Sequence, residues 1–157
     1  MSSYLSFYLV PKKSKKRYDF SKDDGSSEIE IELSTGTPLL LTSYSRSDEI
    51  YQAYSETLNP AYCGMEEKYT ELTYEDSQKV IREYEREVKE TEERLDADYK
   101  MLKEGGYNSE LWEDIQTMEK YVKEQKQILE ELKYISDIVY EVYEGYGDFE
   151  KVLINVD

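Results

Sequence analysis

Two long stretches of the chain, residues 73–104 and 109–144, contain neither glycine nor proline, and this constrains the fold more than any other feature. In both stretches the positions of one stripe recur at alternating steps of three and four residues, the spacing of helices that pack through one face. Gly105 and Gly106 separate the stretches and predict a tight turn. The sequence therefore predicts an antiparallel hairpin of two long helices, similar to a coiled coil. The stripe consists of Ile81, Tyr84, Val88, Thr91, Leu95, Asp98 and Leu102 in the first stretch and of Leu111, Ile115, Met118, Val122, Gln125, Leu129, Leu132, Ser136, Val139 and Tyr143 in the second.

The two stripes match one another when the chain folds back at the glycine pair. Ile81 then lies opposite Leu132, and the other apolar positions pair in the same register. Near the middle Val88 lies opposite Gln125, so the seam is more polar there than at either end. The agreement between the stripes supports the hairpin, and the polar middle predicts a locally weaker seam.

Strand-like patterns occupy both ends of the chain. Residues 4–10 are apolar and aromatic, residues 28–33 alternate charged and aliphatic side chains, and residues 38–42 form a third short apolar run. Residues 149–156 also have the pattern of a strand, which would return the C-terminus to the N-terminal sheet. The predicted fold class is therefore α+β, a small antiparallel sheet from the N-terminal third and a C-terminal strand, combined with the helical hairpin.

A short helix and a polar loop are expected in the N-terminal third. Ser47 is placed to cap a helix, with Asp48 and Glu49 in its first turn. The helix is expected to end before Pro60, because proline cannot continue it. Residues 11–27 are rich in Lys, Asp, Gly and Ser and predict a loop between two strands.

The length of the chain suits a single domain. Its 157 residues should bury roughly two-thirds of the surface of the unfolded chain, enough for one modest core. Residues 1–60 and 147–157 are expected to form the sheet and the short helix, and residues 73–144 the hairpin.

The charge balance disfavours several classes of function. Lys and Arg total 20 against 36 Asp and Glu, a net charge of −16 with a pI near 4.5, so direct binding to DNA, RNA or anionic lipid is disfavoured. No run approaches the ~18 apolar residues that a membrane span needs, and the first residues lack the pattern of a signal peptide. We therefore expect a soluble, cytoplasmic protein.

The residues that most enzymes use are scarce. The chain has no histidine, so the usual imidazole base and metal ligand is missing, and its single cysteine, Cys63, excludes an internal disulfide. A nucleophilic thiol at Cys63 would need a nearby base or cation. We expect no metal and no cofactor, and an enzyme is the class that the sequence supports least.

Negative charge is concentrated on the predicted hairpin, where residues 66–144 hold 24 acidic and 12 basic side chains. Oppositely charged pairs four residues apart, such as Glu90 and Arg94, are typical of a solvated helix. The alternative is that the hairpin partly mimics a nucleic acid and binds a protein with a basic surface. Under that alternative, the partner-binding carboxylates are Glu83, Glu87, Glu90, Glu92, Glu93 and Asp96.

Tyrosine is the second compositional signal, with 17 residues against 3 Phe and 1 Trp. Tyrosine tolerates half-exposed positions and is enriched at interfaces. Two clusters flank the hairpin: Tyr62, Tyr69 and Tyr74 before it, and Tyr134, Tyr140, Tyr143 and Tyr146 at the end of its second helix. They predict either a tyrosine-rich core or a partner-binding surface, with Tyr140 and Tyr143 as the candidates for the surface.

One basic segment, PKKSKKR at residues 11–17, interrupts the acidic chain. It is similar to a basic nuclear-targeting peptide. The other interpretation is a solvated loop that touches an acidic partner or the protein's own hairpin.

The segment SYSRSDEIYQAY at residues 43–54 follows an SYLSFYL strand and precedes the charged hairpin. This layout resembles that of small phage and prophage proteins. The resemblance implies a mobile-element origin and action in the cytoplasm of a host cell, and it transfers no catalytic or binding residue. Proteins of this kind include inhibitors of host defence, anti-CRISPR proteins among them, and also virion and assembly components.

The same segment contains the last two candidate residues. Arg46 beside Asp48 and Glu49 is typical of a helix cap. In a functional interpretation Arg46 and Tyr51 are instead exposed anchors at a partner surface.

Together these features predict an inhibitory binding protein with a protein partner. It would occupy a basic surface on a host nuclease complex and block access of nucleic acid. The alternative is a virion or assembly adaptor that forms homo-oligomers through its helical hairpin.

Overall fold

A computed structural model describes the chain over residues 3–13, 15–22, 25–32, 36–58 and 69–156, with residues 15–22 and 25–32 described by their backbone alone. The elements in chain order are β1 (Tyr4–Pro11), β2 (Lys15–Lys22), β3 (Gly25–Glu32), β4 (Leu39–Ser45), α1 (Glu49–Leu58), β5 (Thr70–Glu71), α2 (Tyr74–Gly105), α3 (Ser109–Tyr143) and β6 (Phe149–Val156). This composition confirms the α+β class.

The chain divides into two compact units. The first, the sheet unit, comprises Met1–Arg46, Pro60–Thr73 and Val139–Asp157. The second, the helical unit, comprises Ser47–Asn59 and Tyr74–Ile138. The short helix α1 therefore belongs with the hairpin, whereas the sequence grouped it with the sheet.

The sheet unit contains a four-stranded antiparallel sheet in the order β4-β1-β6-β5. β1 lies between β4 and β6, so the predicted return of the C-terminal strand to the N-terminal sheet is confirmed. The two-residue strand β5, at the opposite edge from β4, was not predicted. The buried apolar residues of this unit are Leu5, Phe7, Val10, Leu72, Val139, Val142, Val152, Ile154 and Val156.

The segment at residues 11–27 was predicted to be a loop, and this is wrong over most of its length. β2 pairs with β3 in a two-stranded antiparallel sheet, from Lys15 opposite Glu32 to Lys22 opposite Gly25. The polar composition of β2 hides its strand pattern, since only Tyr18 and Phe20 alternate as apolar residues. The strand predicted at residues 28–33 therefore pairs with β2, and not with β1.

The helical unit contains the predicted hairpin, whose two long helices pack together. Gly106, with a φ of 77°, lies just after α2 in the left-handed conformation that commonly ends a helix. Asn108 then caps α3, because its Oδ1 accepts hydrogen bonds from the backbone N–H groups of Glu110 at 3.0 Å and Leu111 at 3.2 Å. Three residues therefore suffice to reverse the chain.

The register of the hairpin is visible in a buried chain of hydrogen bonds. Ser77 and Ser136 share a hydrogen bond of 2.9 Å, and the Gln78 amide donates to the Ser136 hydroxyl at 2.7 Å. Ser77 lies one turn before Ile81, and Ser136 lies one turn after Leu132. The serine pair thus extends the predicted Ile81–Leu132 register by one turn.

The predicted stripe is buried or half-buried at every position except Tyr143, which is exposed. In its polar middle the Thr91 hydroxyl is satisfied within α2, by donating to the Glu87 carbonyl at 2.9 Å. Gln125 is 2% exposed, and its Oε1 accepts no hydrogen bond from the described residues. The buried apolar residues of the helical unit are Ile50, Tyr51, Ala53, Tyr54, Val80, Ile81, Tyr84, Val88, Ile115, Val122, Leu132 and Ile135.

The short helix α1 begins one residue later than predicted. Its N-cap is Asp48, whose Oδ1 accepts a hydrogen bond from the Ile50 N–H at 2.8 Å, and the predicted cap Ser47 precedes it. α1 packs on α2, where the Tyr84 hydroxyl donates to Glu49 Oε2 at 2.6 Å. Tyr51, predicted to be an exposed anchor, is buried, because it lies on the apolar face of α1 with Ile50 and Tyr54.

Candidate functional site

The six carboxylates predicted to bind a partner all lie on α2. Residues three or four apart on a helix are neighbours on its surface. Such steps link Glu83, Glu87, Glu90 and Glu93, and Asp96 lies three residues after Glu93 and four after Glu92. The six therefore follow one another around more than half of the circumference of the helix, so a flat partner surface cannot contact all of them at once.

Two of the six take part in ion pairs of the helical unit. Glu83 accepts from Arg86 on its own helix at 2.8 Å, and Glu92 pairs with Lys126 of α3 at 2.9 Å. Both pairs are solvent-exposed, and such pairs contribute about 0–1 kcal/mol to stability. These two positions fit the interpretation of a solvated helix, and Glu87 has a different environment.

Glu87 borders a cavity of about 210 Å³, here named the acidic pocket. Its lining residues are Glu49, Gln52, Ala53 and Glu56 of α1, Tyr84 and Glu87 of α2, and Tyr121 of α3. Three carboxylates and two phenol groups thus surround one concavity within the helical unit. Among the described residues, none of the lining side chains is basic.

Tyr84 is the most buried of the ionisable groups in the pocket. Burial raises the pKa of its hydroxyl, and so does the hydrogen bond that it donates to the Glu49 carboxylate. The hydroxyl therefore stays protonated and fixes one oxygen of Glu49 at 2.6 Å. The second oxygen of the Glu49 carboxylate can accept a hydrogen bond from another group.

The pKa values of Glu87 and Tyr121 are also raised by burial and by neighbouring carboxylates. Burial raises the pKa of the Glu87 carboxyl, and repulsion by Glu56 raises it further, against a smaller lowering by Arg86. Burial and the charge of Glu49 raise the pKa of the Tyr121 hydroxyl, while a hydrogen bond from the Gln125 side chain lowers it. Tyr84, Glu87 and Tyr121 are thus all shifted towards their neutral forms, first by burial and then by neighbouring carboxylates.

The chemistry available to this pocket is the binding of a cation. A guanidinium or ammonium group would meet carboxylate acceptors and could stack on the phenol rings. No group of three or more His, Cys, Asp or Glu side chains in the described part of the chain is arranged to hold a metal ion. An organic cation, such as an Arg or Lys side chain of a protein, suits both the carboxylates and the phenol rings of the pocket.

A larger cavity of about 430 Å³ lies between α2 and α3, nearer the turn of the hairpin. It contains a basic side chain of its own, Arg94, together with Asp98 and Asp114. Because Arg94 compensates one of these two carboxylates, the cavity carries less negative charge than the acidic pocket with its three carboxylates. We therefore take the smaller cavity as the candidate site.

The sequence predicted only one residue of the acidic pocket, Glu87. Glu49, Gln52 and Glu56 are spaced by three and four residues on α1, so their common face was readable from the sequence. What the sequence did not show is that α1 packs on α2 beside Tyr84. Tyr121 was missed because it lies beside the stripe of α3 and not on it.

The remaining predicted anchors have separate environments in the sheet unit. Arg46 is exposed, and its backbone N–H donates to the Ser3 carbonyl at 3.0 Å. The Tyr143 hydroxyl donates to Glu71 Oε1 at 2.9 Å and accepts from the Val152 N–H at 3.5 Å, so it braces the edge of the sheet. Tyr140 is exposed.

The interpretation of the tyrosine clusters as core is wrong for the described members. Tyr69, Tyr74, Tyr134, Tyr140, Tyr143 and Tyr146 are all exposed. Tyr62 and Cys63 lie outside the described residues.

The basic segment begins as a connection and continues as a strand. The Lys12 ammonium donates to the Gly145 carbonyl at 2.9 Å, and its backbone N–H donates to the Asp148 carbonyl at 2.7 Å. Lys15, Lys16 and Arg17 belong to β2. Lys12 thus ties the segment to the turn before β6.

No protein-family model, curated protein or solved structure matches this chain. In the described ranges no helix combines the length and the apolar character needed to cross a membrane. The geometry and charge of the acidic pocket are therefore the features that bear on function.

Proposed function

We propose that this chain is an inhibitory binding protein that acts in the cytoplasm of a host cell. Its acidic pocket takes an Arg or Lys side chain from the basic surface of a nucleic-acid-binding defence effector. The class of partner is proposed from the resemblance to small phage and prophage proteins. The mode of binding is proposed from the chemistry of the acidic pocket. A catalytic role is not part of it.

One observation carries the proposal: the three carboxylates of the acidic pocket gather with no basic side chain among the described residues that line it. Burial raises the pKa of the Glu87 carboxyl most, and repulsion by Glu56 raises it further, so folding brings these two carboxylates together against their repulsion. A cation from a partner would remove that repulsion and lower this pKa. Binding would therefore release protons at a pH near the pKa of Glu87.

The mechanism of inhibition is electrostatic and steric. A basic surface that binds nucleic acid carries the Arg and Lys side chains that the pocket accepts, and Glu83 and Glu90 extend the same acidic face of α2. A net charge of −16 would speed the encounter with such a surface. While the chain is bound, the phosphate backbone of DNA or RNA cannot reach those side chains.

The test uses an octa-arginine peptide as a defined cationic probe, and then a purified nuclease effector complex with its DNA. The site variant is Glu56→Gln with Glu87→Gln. The control variant is Glu85→Gln with Glu113→Gln, which removes the same charge from exposed positions outside the pocket. We expect the site variant to weaken binding by about 10-fold or more, as for the loss of one to two charge-assisted contacts, and the control by much less.

Salt provides the second arm of the experiment. Binding of the probe should weaken strongly between about 0.05 M and about 0.5 M salt, and excess DNA should displace the chain from the effector. Equal losses in the site and control variants would show that only overall charge matters and would remove the pocket from the proposal. Affinity that is unchanged at high salt would contradict the electrostatic mechanism.

A second candidate function is that of an assembly or adaptor protein, and the turn of the hairpin favours it. Tyr99, Met101, Tyr107 and Trp112 are exposed there, within eight residues of Gly106. Aromatic side chains and Met are enriched at the centres of protein interfaces. Light scattering of the wild type and of Tyr107→Ser tests this role, which requires an oligomer that the substitution weakens.

A further inference from the structure

β4 is an edge strand of the four-stranded sheet, paired with β1 on one side and with no described strand on the other. The Arg46 N–H donates to the Ser3 carbonyl at 3.0 Å, which places that residue pair among the hydrogen-bonded pairs of the ladder. Such pairs alternate along an antiparallel ladder. The backbone N–H and C=O of Ser43, three residues away, therefore point outward from the sheet.

The first half of this edge is apolar and exposed. Leu39, Leu40 and Leu41 have 53%, 60% and 40% of their surface accessible. Successive side chains of a strand point to opposite faces, so Leu39 and Leu40 lie on opposite sides of the sheet. A protein docking on one face of the sheet would cover only part of them, whereas an added strand has side chains beside them on both faces.

The edge lacks two of the usual protections, charge and proline, although the irregularity in its register beside Leu41 bends the strand locally. Native edge strands carry charged side chains, especially Lys, or proline, which discourage another strand from pairing. Residues 33–45 contain no charged side chain, in a chain of which 36% is charged, and β4 contains no proline. An uncharged edge of this kind is expected where the strand pairs with another strand.

We propose that β4 pairs antiparallel with β4 of a second copy of this chain. Two copies that each carry a net charge of −16 repel one another, and β4 is a surface where they can meet without opposing carboxylates. Pairing across a two-fold axis presents the same uncharged strand from both sides and consumes both edges. The assembly therefore closes as a dimer with one continuous sheet of eight strands.

The size of the contact sets its strength. β4 offers seven residues per copy, well below the roughly 20–30 residues a side of a standard stable interface. We expect a dissociation constant in the micromolar range or weaker, on the order of 10–100 μM. Because the copies repel, added salt should strengthen the dimer, the opposite of its expected effect on binding to a basic partner.

Sedimentation velocity of the full chain tests the proposal between about 10 μM and about 1 mM, at low and high salt. The site variant is Leu40→Lys. The control is Met101→Lys, which makes a similar change at a side chain of nearly equal exposure, 61%, in the helical unit. We expect the wild type and the control to dimerise and the Leu40→Lys variant to stay monomeric, with unchanged circular dichroism.

Amide hydrogen exchange on the wild type provides a measurement that needs no substitution. The outward N–H of Ser43 should exchange several-fold more slowly at high than at low protein concentration. A wild type that stays monomeric throughout, or a Ser43 amide whose exchange ignores concentration, would overturn the pairing. If Met101→Lys abolishes a dimer that Leu40→Lys leaves intact, the contact lies at the turn of the hairpin and not at β4.

Discussion

Gln125 allows a quantitative test of the hairpin seam. Its side chain is 2% exposed, and its Oε1 is buried without a hydrogen-bond donor among the described residues. Its amide interacts with the hydroxyl of Tyr121. The perturbation is Gln125→Leu, which keeps similar length and helix propensity and removes both polar atoms.

The expected gain follows from two opposing contributions. A buried carbonyl without a partner costs about 1–3 kcal/mol, and leucine removes this cost. The lost hydrogen bond to Tyr121 subtracts about 0.5–1.5 kcal/mol. We therefore expect Gln125→Leu to stabilise the protein by about 1 kcal/mol, which corresponds to a rise in Tm of about 2–4 °C for a chain of this size.

Urea unfolding followed by far-ultraviolet circular dichroism measures this difference. Gln127→Leu is the matched control, because Gln127 is exposed two residues further along α3 and the same change there should stay within about 0.5 kcal/mol. A Gln125→Leu variant that is less stable than the wild type would refute the reasoning. That result would mean that the Gln125 carbonyl has a partner, such as a buried water, whose loss leaves the seam worse packed.

Two further predictions concern the helical unit. The pKa of Glu87 is raised by burial and by Glu56, so the folded protein binds a proton there more readily than the unfolded chain, and its stability should fall as pH rises through the raised pKa. Glu87→Gln should therefore stabilise the protein at neutral pH and lose this advantage below the ordinary pKa of Glu; urea unfolding against pH measures it, and the reverse slope would contradict the assignment. Asp48→Ala removes the cap that the Ile50 N–H uses and should cost about 0.5–2 kcal/mol, whereas Asp48→Asn should retain most of the stability. Equal losses in both Asp48 variants, measured by thermal unfolding, would show that the cap is not the cause.

The parts of the fold that could be predicted from the sequence are those set by local periodicity. The stripe that includes Ile81 and Leu132 repeats over many turns, so the hairpin and its register follow from the spacing alone. β6 follows in the same way from a short run of apolar and β-branched residues. In both cases the position of a residue in the repeat predicts which face of its own helix or strand it occupies.

The parts that could not be predicted depend on which element meets which. β2 is polar enough to resemble a loop, and only its pairing with β3 makes it a strand. The burial of Tyr51 and the formation of the acidic pocket both depend on α1 packing against α2, a contact that no spacing within α1 reveals. Likewise, the exposure of Leu40 was unpredictable, because an apolar run predicts a strand but not its position at an edge.

The buried carbonyl of Gln125 lowers the stability of the protein, and this residue could be kept because it serves the acidic pocket. The Gln125→Leu variant also tests this interpretation. Gln125 interacts with the hydroxyl of Tyr121, and Tyr121 lines the acidic pocket. Leucine at this position would relieve the buried carbonyl but leave the phenol without that partner and freer to move. If the amide serves the pocket, Gln125→Leu should be more stable than the wild type and yet bind the octa-arginine probe more weakly. A variant that gains stability and keeps full affinity would show that the amide serves the seam alone, for instance by fixing which residues of α2 and α3 face each other.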